Sequence, residues 1–118
     1  MLRKFLTTLG GSSLPELTST EAHERVVAGE AVLVDVREGS EWEAGRIPGS
    51  IHVTLGELRG QRSIGVPKGK EVVLVCRSGA RSAFAATMLS SDGREATNLK
   101  GGVKAWVREG LPFEGSVG

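Results

Sequence analysis

Residues 71 to 82 read EVVLVCRSGARS, and this segment decides the fold class. Its first part, EVVLV (71–75), shows no polar alternation, which is typical of a parallel strand covered on both faces. A glycine-containing loop with Cys76 follows, and Ser82 is predicted to cap a helix over 83–89. A buried strand, a short loop and a helix in this order predict an α/β fold.

The rest of the chain repeats this alternation of strands and helices. Apolar runs predict further strands at 31–36, 51–53 and 95–99. Capping and stop signals predict helices between Thr18 and Gly29, over 54–59 and over 103–110. The charged, glycine-rich segment 38–50 is predicted to be a loop with one helical turn at 41–44. The pattern predicts a parallel sheet with helices on both faces.

The composition is that of a single globular domain. The chain has 118 residues, 39% of them hydrophobic and 25% charged, which argues against disorder and against a membrane protein. The net charge of +1 gives no reason to expect nucleic acid or a membrane as a partner. Residues 1–13 are expected to form a flexible arm without a signal peptide, and residues 14–118 the domain. Since one cysteine cannot form an internal disulfide, we expect a reduced, cytoplasmic compartment, and a monomer is the default expectation.

The residues around Cys76 predict a site that holds an anion. Successive backbone N–H groups of a loop, followed by the amino end of a helix, attract negative charge and would stabilise a thiolate. Arg77 and Arg81 add two positive charges within five residues of the cysteine. The alternative is that Cys76 is a small buried apolar residue without chemistry. We predict Cys76 as the nucleophile and six loop residues as the binding site: Arg77, Ser78, Gly79, Ala80, Arg81 and Ser82.

Three motifs in this order resemble the rhodanese family of sulfurtransferases. They are VLVDVREGSEWEAGRIPGSIHV (32–53), CRSGARS (76–82) and GGVKAW (101–106), and the resemblance extends over most of the chain, from about Glu16 to Pro112. It implies a three-layer α/β domain with a parallel sheet of about five strands. It also implies a persulfide on Cys76 as the intermediate of sulfur transfer. The sequence departs from the family pattern at Arg46, where the family usually has histidine.

The resemblance assigns roles to residues outside the loop as well. Asp35 and Arg37 would support the site from the neighbouring strand end by charge-assisted hydrogen bonds, although a purely structural ion pair fits the sequence equally well. Trp42 and Trp106 are expected to be core residues. No metal or cofactor is expected, because neither histidine of the chain has companions at ligand spacing; His23 is expected to face solvent and His52 to lie in the strand region.

The length of the loop favours sulfur over phosphate. Four residues separate Cys76 from Arg81, one fewer than in cysteine-dependent phosphatases. The resemblance implies that a loop of this length goes with sulfur, because it need enclose only one outer sulfur atom on the cysteine. We therefore predict a thiosulfate sulfurtransferase that takes sulfur from an anionic donor and gives it to cyanide or a thiol, with a sulfur-accepting protein as a further candidate partner. Two alternatives stay open at this point: a phosphatase or arsenate reductase, and a non-catalytic module that carries a persulfide.

Overall fold

The computed structural model describes residues 14–61 and 66–117, so the predicted arm over 1–13 lies outside the described residues. Helices and strands alternate along the chain, as predicted. In chain order they are β1 (Glu16–Leu17), α1 (Ser19–Val27), β2 (Ala31–Asp35), α2 (Gly39–Ala44), β3 (Gly45–Arg46), β4 (Ile51–His52), α3 (Leu55–Gln61), β5 (Glu71–Val75), α4 (Ala80–Ser91), β6 (Ala96–Leu99), α5 (Gly102–Arg108) and β7 (Glu114–Gly115).

Within the described residues, five strands form one parallel sheet in the order β1-β6-β5-β2-β4. A separate antiparallel pair joins β3 to β7. The predicted α/β fold with a parallel sheet of about five strands is therefore confirmed. The central strand is β5, and every residue of its EVVLV sequence is buried.

The strand residues divide between two apolar layers because successive side chains of a strand point to opposite faces. Val72 and Leu74 of β5 pack on one face with residues of α3 and α4, whereas Val73 and Val75 pack on the other face with residues of α1 and α5. Helices thus cover both faces, as the sequence predicts. None of the helices within 14–61 and 66–117 is long and apolar enough to cross a membrane.

The sheet places the carboxyl ends of β2 and β5 side by side. Asp35 pairs with Val75 in the parallel register, and the Val36 N–H donates to the Val75 carbonyl oxygen at 2.8 Å. In parallel α/β sheets the loops beyond these strand ends are where ligands bind. The Cys76 loop and the Asp35–Arg37 segment therefore meet at one edge of the sheet.

The prediction that Ser82 caps the helix after the loop is wrong. Helix α4 begins at Ala80, and its N-cap is Gly79, whose φ of 113° lies in the left-handed region that favours glycine. Ser82 is buried in the first turn of α4, where its hydroxyl group bonds to residues of the site instead of to the helix backbone N–H groups. The helix is also longer than predicted and extends to Ser91.

The predictions for the segment 38–50, for Trp42 and for His23 need correction. The segment contains the six-residue helix α2 and the strand β3, and the Glu38 N–H donates to Glu41 Oε1 at 2.9 Å at the start of that helix. Trp106 is a core residue, as predicted, but Trp42 is only half-buried. His23 does not simply face solvent, because its ring packs edge-on against Trp106 at 5.6 Å between ring centroids.

Candidate active site

The thiol of Cys76 lies directly after the carboxyl end of β5 and is 1% exposed. The Gly79 N–H donates a hydrogen bond to Cys76 Sγ at 3.0 Å. Ser82 Oγ lies 3.3 Å from the same sulfur atom. The left-handed conformation of Gly79 turns the loop so that its N–H group points back at the sulfur. The Gly79 N–H and the Ser82 hydroxyl group therefore both lie within hydrogen-bond distance of the sulfur atom.

Opposing effects act on the pKa of Cys76. Burial raises the pKa, whereas the hydrogen bonds that the charged sulfur can accept from the Ser82 hydroxyl and from the backbone amides of Ser82, Gly79 and Ser78 lower it, and the net result is a pKa below the ordinary value of 9.0. Hydrogen bonds to the sulfur favour its charged form because they replace the solvation that burial removes. The site can therefore supply a nucleophilic thiolate more readily than a free cysteine.

Helix α5 holds the other side of the Cys76 loop. The Val103 N–H donates to the Cys76 carbonyl oxygen at 2.9 Å, and the Lys104 N–H donates to the Arg77 carbonyl oxygen at 3.1 Å. Gly102 allows this close approach, because a Cβ atom at that position would lie 2.4 Å from the Cys76 carbonyl oxygen. The carbonyl oxygens of Cys76 and Arg77 thus bond to α5, while the Gly79 N–H of the same loop bonds to the sulfur.

Arg81 is not a free cation in this site. Its Nη1 and Nη2 atoms bind Glu41 Oε1 and Oε2 of α2 at 2.8 and 2.9 Å, which is a bidentate ion pair. The hydrogen bond from Arg81 is the main reason why the pKa of Glu41 falls from 4.5 to about 2. Glu41 was not among the predicted site residues, although it lies within the first motif (32–53), directly before Trp42.

Asp35 and Arg37 form a second ion pair at the end of β2. Arg37 Nη2 donates to Asp35 Oδ2 at 2.8 Å and to the Gly45 carbonyl oxygen at 2.7 Å. Both side chains are buried, so the pair links β2 to the α2–β3 junction. Through Gly45 the pair is connected to the segment that carries Glu41.

Arg46, the departure from the family pattern, contacts Trp42. Its Nη1 atom donates to the Trp42 carbonyl oxygen at 3.0 Å, and its guanidinium group lies over the Trp42 ring at 5.2 Å from the ring centroid. The Trp42 ring also stacks on His52 at 4.7 Å between centroids. Arg46 therefore supports Trp42 through a cation–π contact.

A buried polar network on β6 completes the site and was missed by the sequence analysis. Ser82 Oγ donates to Asn98 Oδ1 at 2.6 Å, and Asn98 Nδ2 donates to the Gly79 carbonyl oxygen at 3.2 Å and to Glu16 Oε2 at 3.1 Å. Asn98 is 2% exposed. A polar residue near the carboxyl end of a predicted buried strand is the signal that could have identified it.

The fold and the site define a class: an α/β domain with one cysteine in a short loop between the central strand and a helix. The model of the rhodanese-like domain family matches residues 18–109, and the chain belongs to this family.

The relatives and solved structures agree with this assignment. A sulfurtransferase of Allochromatium vinosum is 39% identical over 100 residues, which cover 83% of this chain and 92% of the relative. The thiosulfate:glutathione sulfurtransferase of Saccharomyces cerevisiae is 39% identical over 92 residues, 67% of this chain and 66% of the relative. The crystal structure of a rhodanese-related protein from Thermoplasma volcanium has a TM-score of 0.77 at 30% identity and covers 84% of this chain and 96% of its own. At the level of the family, the function is sulfur transfer.

Proposed function

We propose that the protein is a thiosulfate sulfurtransferase in which Cys76 carries the sulfur as a persulfide. The observation that carries the proposal is the position of Cys76 Sγ, which is buried and accepts the Gly79 N–H at 3.0 Å. A buried sulfur atom that accepts a backbone hydrogen bond can carry the negative charge of a thiolate, and the same loop can hold a persulfide. The yeast relative is named as a sulfurtransferase of thiosulfate and glutathione. This name supports thiosulfate as the donor and a thiol as an acceptor.

In the first step the Cys76 thiolate attacks the outer sulfur of thiosulfate. A sulfur–sulfur bond forms between Cys76 and that atom, the bond to the sulfonate group breaks, and sulfite leaves with the electron pair. The product is a persulfide whose negative charge lies on its outer sulfur. In this proposal the loop amides of residues 77 to 81 solvate this charge, because preorganised N–H donors stabilise an anion without reorganisation. The Gly79 N–H, which donates to Cys76 Sγ, supports this role of the loop.

In the second step an acceptor attacks the outer sulfur of the persulfide. Cyanide or a thiolate forms a new bond to this atom, and Cys76 leaves as the thiolate, which restores the enzyme. A lower thiol pKa makes Cys76 a better leaving group, so the hydrogen bonds to Sγ assist this step as well as the first. No metal or cofactor takes part in the proposed cycle.

The short loop favours sulfur transfer over phosphate chemistry. Four residues lie between Cys76 and Arg81, and Arg81 is bound by both carboxylate oxygens of Glu41. A phosphatase needs a free guanidinium group to clamp the phosphate oxygens in the transition state. Arg81 would have to leave Glu41 before it could act in this way, whereas sulfur transfer can use the backbone amides.

The mass of the intact protein after treatment with thiosulfate tests the proposal. We expect the reduced protein to gain one sulfur atom, to lose it on treatment with cyanide or dithiothreitol, and to show no gain as Cys76→Ser. Failure of the reduced native protein to gain sulfur would overturn the proposal.

Parallel assays separate the alternatives. Turnover of a chromogenic phosphate ester or arsenate, without turnover of thiosulfate and cyanide, would instead identify a phosphatase or arsenate reductase. Stoichiometric formation of the Cys76 persulfide without multiple turnovers would identify a carrier module.

A further inference from the structure

The hydroxyl group of Ser82 has one proton and three acceptors within reach. Its oxygen lies 3.3 Å from Cys76 Sγ, 3.3 Å from the Gly79 carbonyl oxygen and 2.6 Å from Asn98 Oδ1. One hydroxyl proton serves one acceptor well, and of the three contacts the one to Asn98 has the length of a short O–H···O bond. The Ser82 proton therefore points toward Asn98.

The orientation of the Asn98 amide is fixed by its other contacts. Its nitrogen lies 3.2 Å from the Gly79 carbonyl oxygen and 3.1 Å from Glu16 Oε2, and both of these oxygens accept hydrogen bonds. The opposite orientation would place the amide oxygen against two acceptors. The amide oxygen therefore faces Ser82, and Ser82 must be the donor in that bond.

Asn98 is also held rigidly by the sheet. It lies on β6, between Glu16 of β1 and Leu74 of β5, and its backbone N–H donates to the Pro15 carbonyl oxygen at 2.9 Å. The side chain is buried, so water does not compete for its amide oxygen. Its position relative to Ser82 is thus set by the fold and does not depend on the conformation of the Cys76 loop alone.

We propose that Asn98 is a positioning residue of the sulfur site: its amide oxygen holds the Ser82 hydroxyl in the orientation that fits an uncharged Cys76 sulfur. In this orientation Ser82 turns a lone pair toward Sγ, which can accept the S–H proton of the thiol. When Cys76 loses that proton to water, Ser82 has to rotate its own proton from Asn98 to the thiolate. The buried amide oxygen of Asn98 then has no donor.

The effect of Asn98 on the orientation of Ser82 does not depend on the proposed function. Only the consequence of that orientation for the reaction cycle rests on the proposed function. In the persulfide the negative charge lies on the outer sulfur, and Sγ is again uncharged, so Ser82 can return to Asn98. Asn98 therefore favours the thiol and the loaded persulfide over the free thiolate. It slows the release of sulfur to an acceptor, because release makes Cys76 a thiolate again.

Alkylation of Cys76 by iodoacetamide as a function of pH tests the proposal without any sulfur substrate. We expect Asn98→Leu, which keeps the volume but removes the acceptor, to move the midpoint of the rate profile to lower pH. At a pH well below the midpoint, its alkylation should be about tenfold faster than that of the native protein, since one hydrogen bond to a charged group has roughly this effect. The midpoint, unlike the plateau rate, does not depend on how accessible the thiol is.

The double variant shows whether Ser82 transmits the effect. We expect Asn98→Leu to leave the midpoint unchanged when it is introduced into Ser82→Ala, because no hydroxyl is then available to turn toward the sulfur. In the single variant the thiolate is a stronger acceptor than the Gly79 carbonyl oxygen, which already accepts the Ala83 N–H at 3.1 Å. A midpoint that stays in place or rises in Asn98→Leu, or an equal shift in both backgrounds, would overturn the proposal.

The charged groups around the loop are the same in these variants, and one of them needs a control. Asn98→Leu removes a donor from Glu16, so Glu16→Gln is the matched variant that removes the charge but keeps Asn98 and Ser82. We expect no change of the midpoint in Glu16→Gln; a shift as large as that of Asn98→Leu would overturn the proposal. The other charged or titratable residues on the elements around the loop, which include the following, are also unchanged: Arg77, Arg81, Glu38, Glu41, Glu43, Asp35, Arg37, His52, Lys104 and Arg108.

A measurement on the native protein keeps the proposal testable if the variants do not fold. Since Cys76 is the single cysteine of the chain, the S–H stretching band in the infrared spectrum belongs to it alone. We expect this band, below the midpoint of the alkylation profile, at the lowered frequency of a thiol that donates a hydrogen bond to oxygen. A band at the frequency of a free thiol would contradict the predicted orientation of Ser82.

Discussion

Two arginine–carboxylate pairs lie at the same edge of the sheet and differ in how deeply they are buried. In the Asp35–Arg37 pair the side chains are 1% and 0% exposed, whereas in the Glu41–Arg81 pair they are 25% and 35% exposed. In both pairs the arginine binds both carboxylate oxygens, at N···O distances between 2.8 and 3.0 Å. Their geometry is similar, so the difference between them is their access to water.

Burial decides what each pair can do. A buried arginine cannot lose its carboxylate without leaving an unpaired charge in the interior, so the Asp35–Arg37 pair is committed to the fold. A partly exposed arginine can exchange one anion for another at little cost, because water screens the intermediate state. We therefore expect the first pair to determine stability and the second to determine how the site binds an anionic donor.

The largest expected effect is on stability, through the substitution Asp35→Asn. Asparagine keeps the size of the side chain but leaves the charge of Arg37 buried and unpaired, so the free energy of unfolding should fall by about 3–5 kcal/mol. Urea denaturation measures this value, and Glu41→Gln is the matched control, with an expected loss below about 1 kcal/mol. Equal losses in the two variants would remove the distinction between the pairs.

The next effect is on the use of thiosulfate, through the two members of the exposed pair. Arg81→Ala removes the cation and leaves Glu41 beside the site, so kcat/KM for thiosulfate should fall about tenfold while the free energy of unfolding changes by less than about 1 kcal/mol. Glu41→Gln leaves Arg81 free to bind the donor, so KM for thiosulfate should fall by about fivefold. Steady-state kinetics with thiosulfate and cyanide separates KM from kcat.

The comparison requires that Arg81→Ala weakens the use of thiosulfate and that Glu41→Gln strengthens the binding of thiosulfate. If both substitutions raise KM, the pair acts as one structural unit that shapes the loop. If Arg81→Ala reduces stability and donor use in the same proportion, Arg81 is a structural residue like Arg37.

The smallest expected effect is the acid sensitivity of the exposed pair. The folded-state pKa of Glu41 is about 2, below its ordinary value of 4.5, so the pair stabilises the fold above pH 4.5 and loses this contribution as the pH falls toward 2. Urea denaturation at about pH 5 and about pH 3 should show a slightly larger loss in the native protein than in Glu41→Gln. The same loss in both proteins would mean that Glu41 adds no acid-dependent stability.

The strands were easier to predict than the starts of the helices. An apolar run such as EVVLV reflects only the burial of its own residues, so the strand can be predicted from the run itself. The start of α4 depends on the left-handed conformation of Gly79, whose carbonyl oxygen accepts a hydrogen bond from Asn98 of β6. Ser82 was assigned as a cap because serine is common there, but tertiary contacts give its hydroxyl other partners.

The residues of the site were predictable only where they are close in sequence. The residues of the Cys76 loop are consecutive in sequence, and the single motif CRSGARS (76–82) contains all of them. Glu41 reaches Arg81 across 40 positions, and Asn98 reaches Ser82 across 16, and these pairings exist only once the sheet is formed. The sequence predicted Arg81 as a cation for the donor, but nothing in the local sequence indicates that a carboxylate already occupies it.

The contact between Gly102 and the Cys76 loop has a consequence for protein design. The start of α5 accepts the loop only because residue 102 has no side chain, and its next two N–H groups bind the carbonyl oxygens of residues 76 and 77. A graft of residues 76–82 onto another parallel sheet would therefore carry the cysteine but not the orientation of its peptide groups. The minimal transplantable unit is two segments, 76–82 and 101–104, together with a scaffold that sets them side by side.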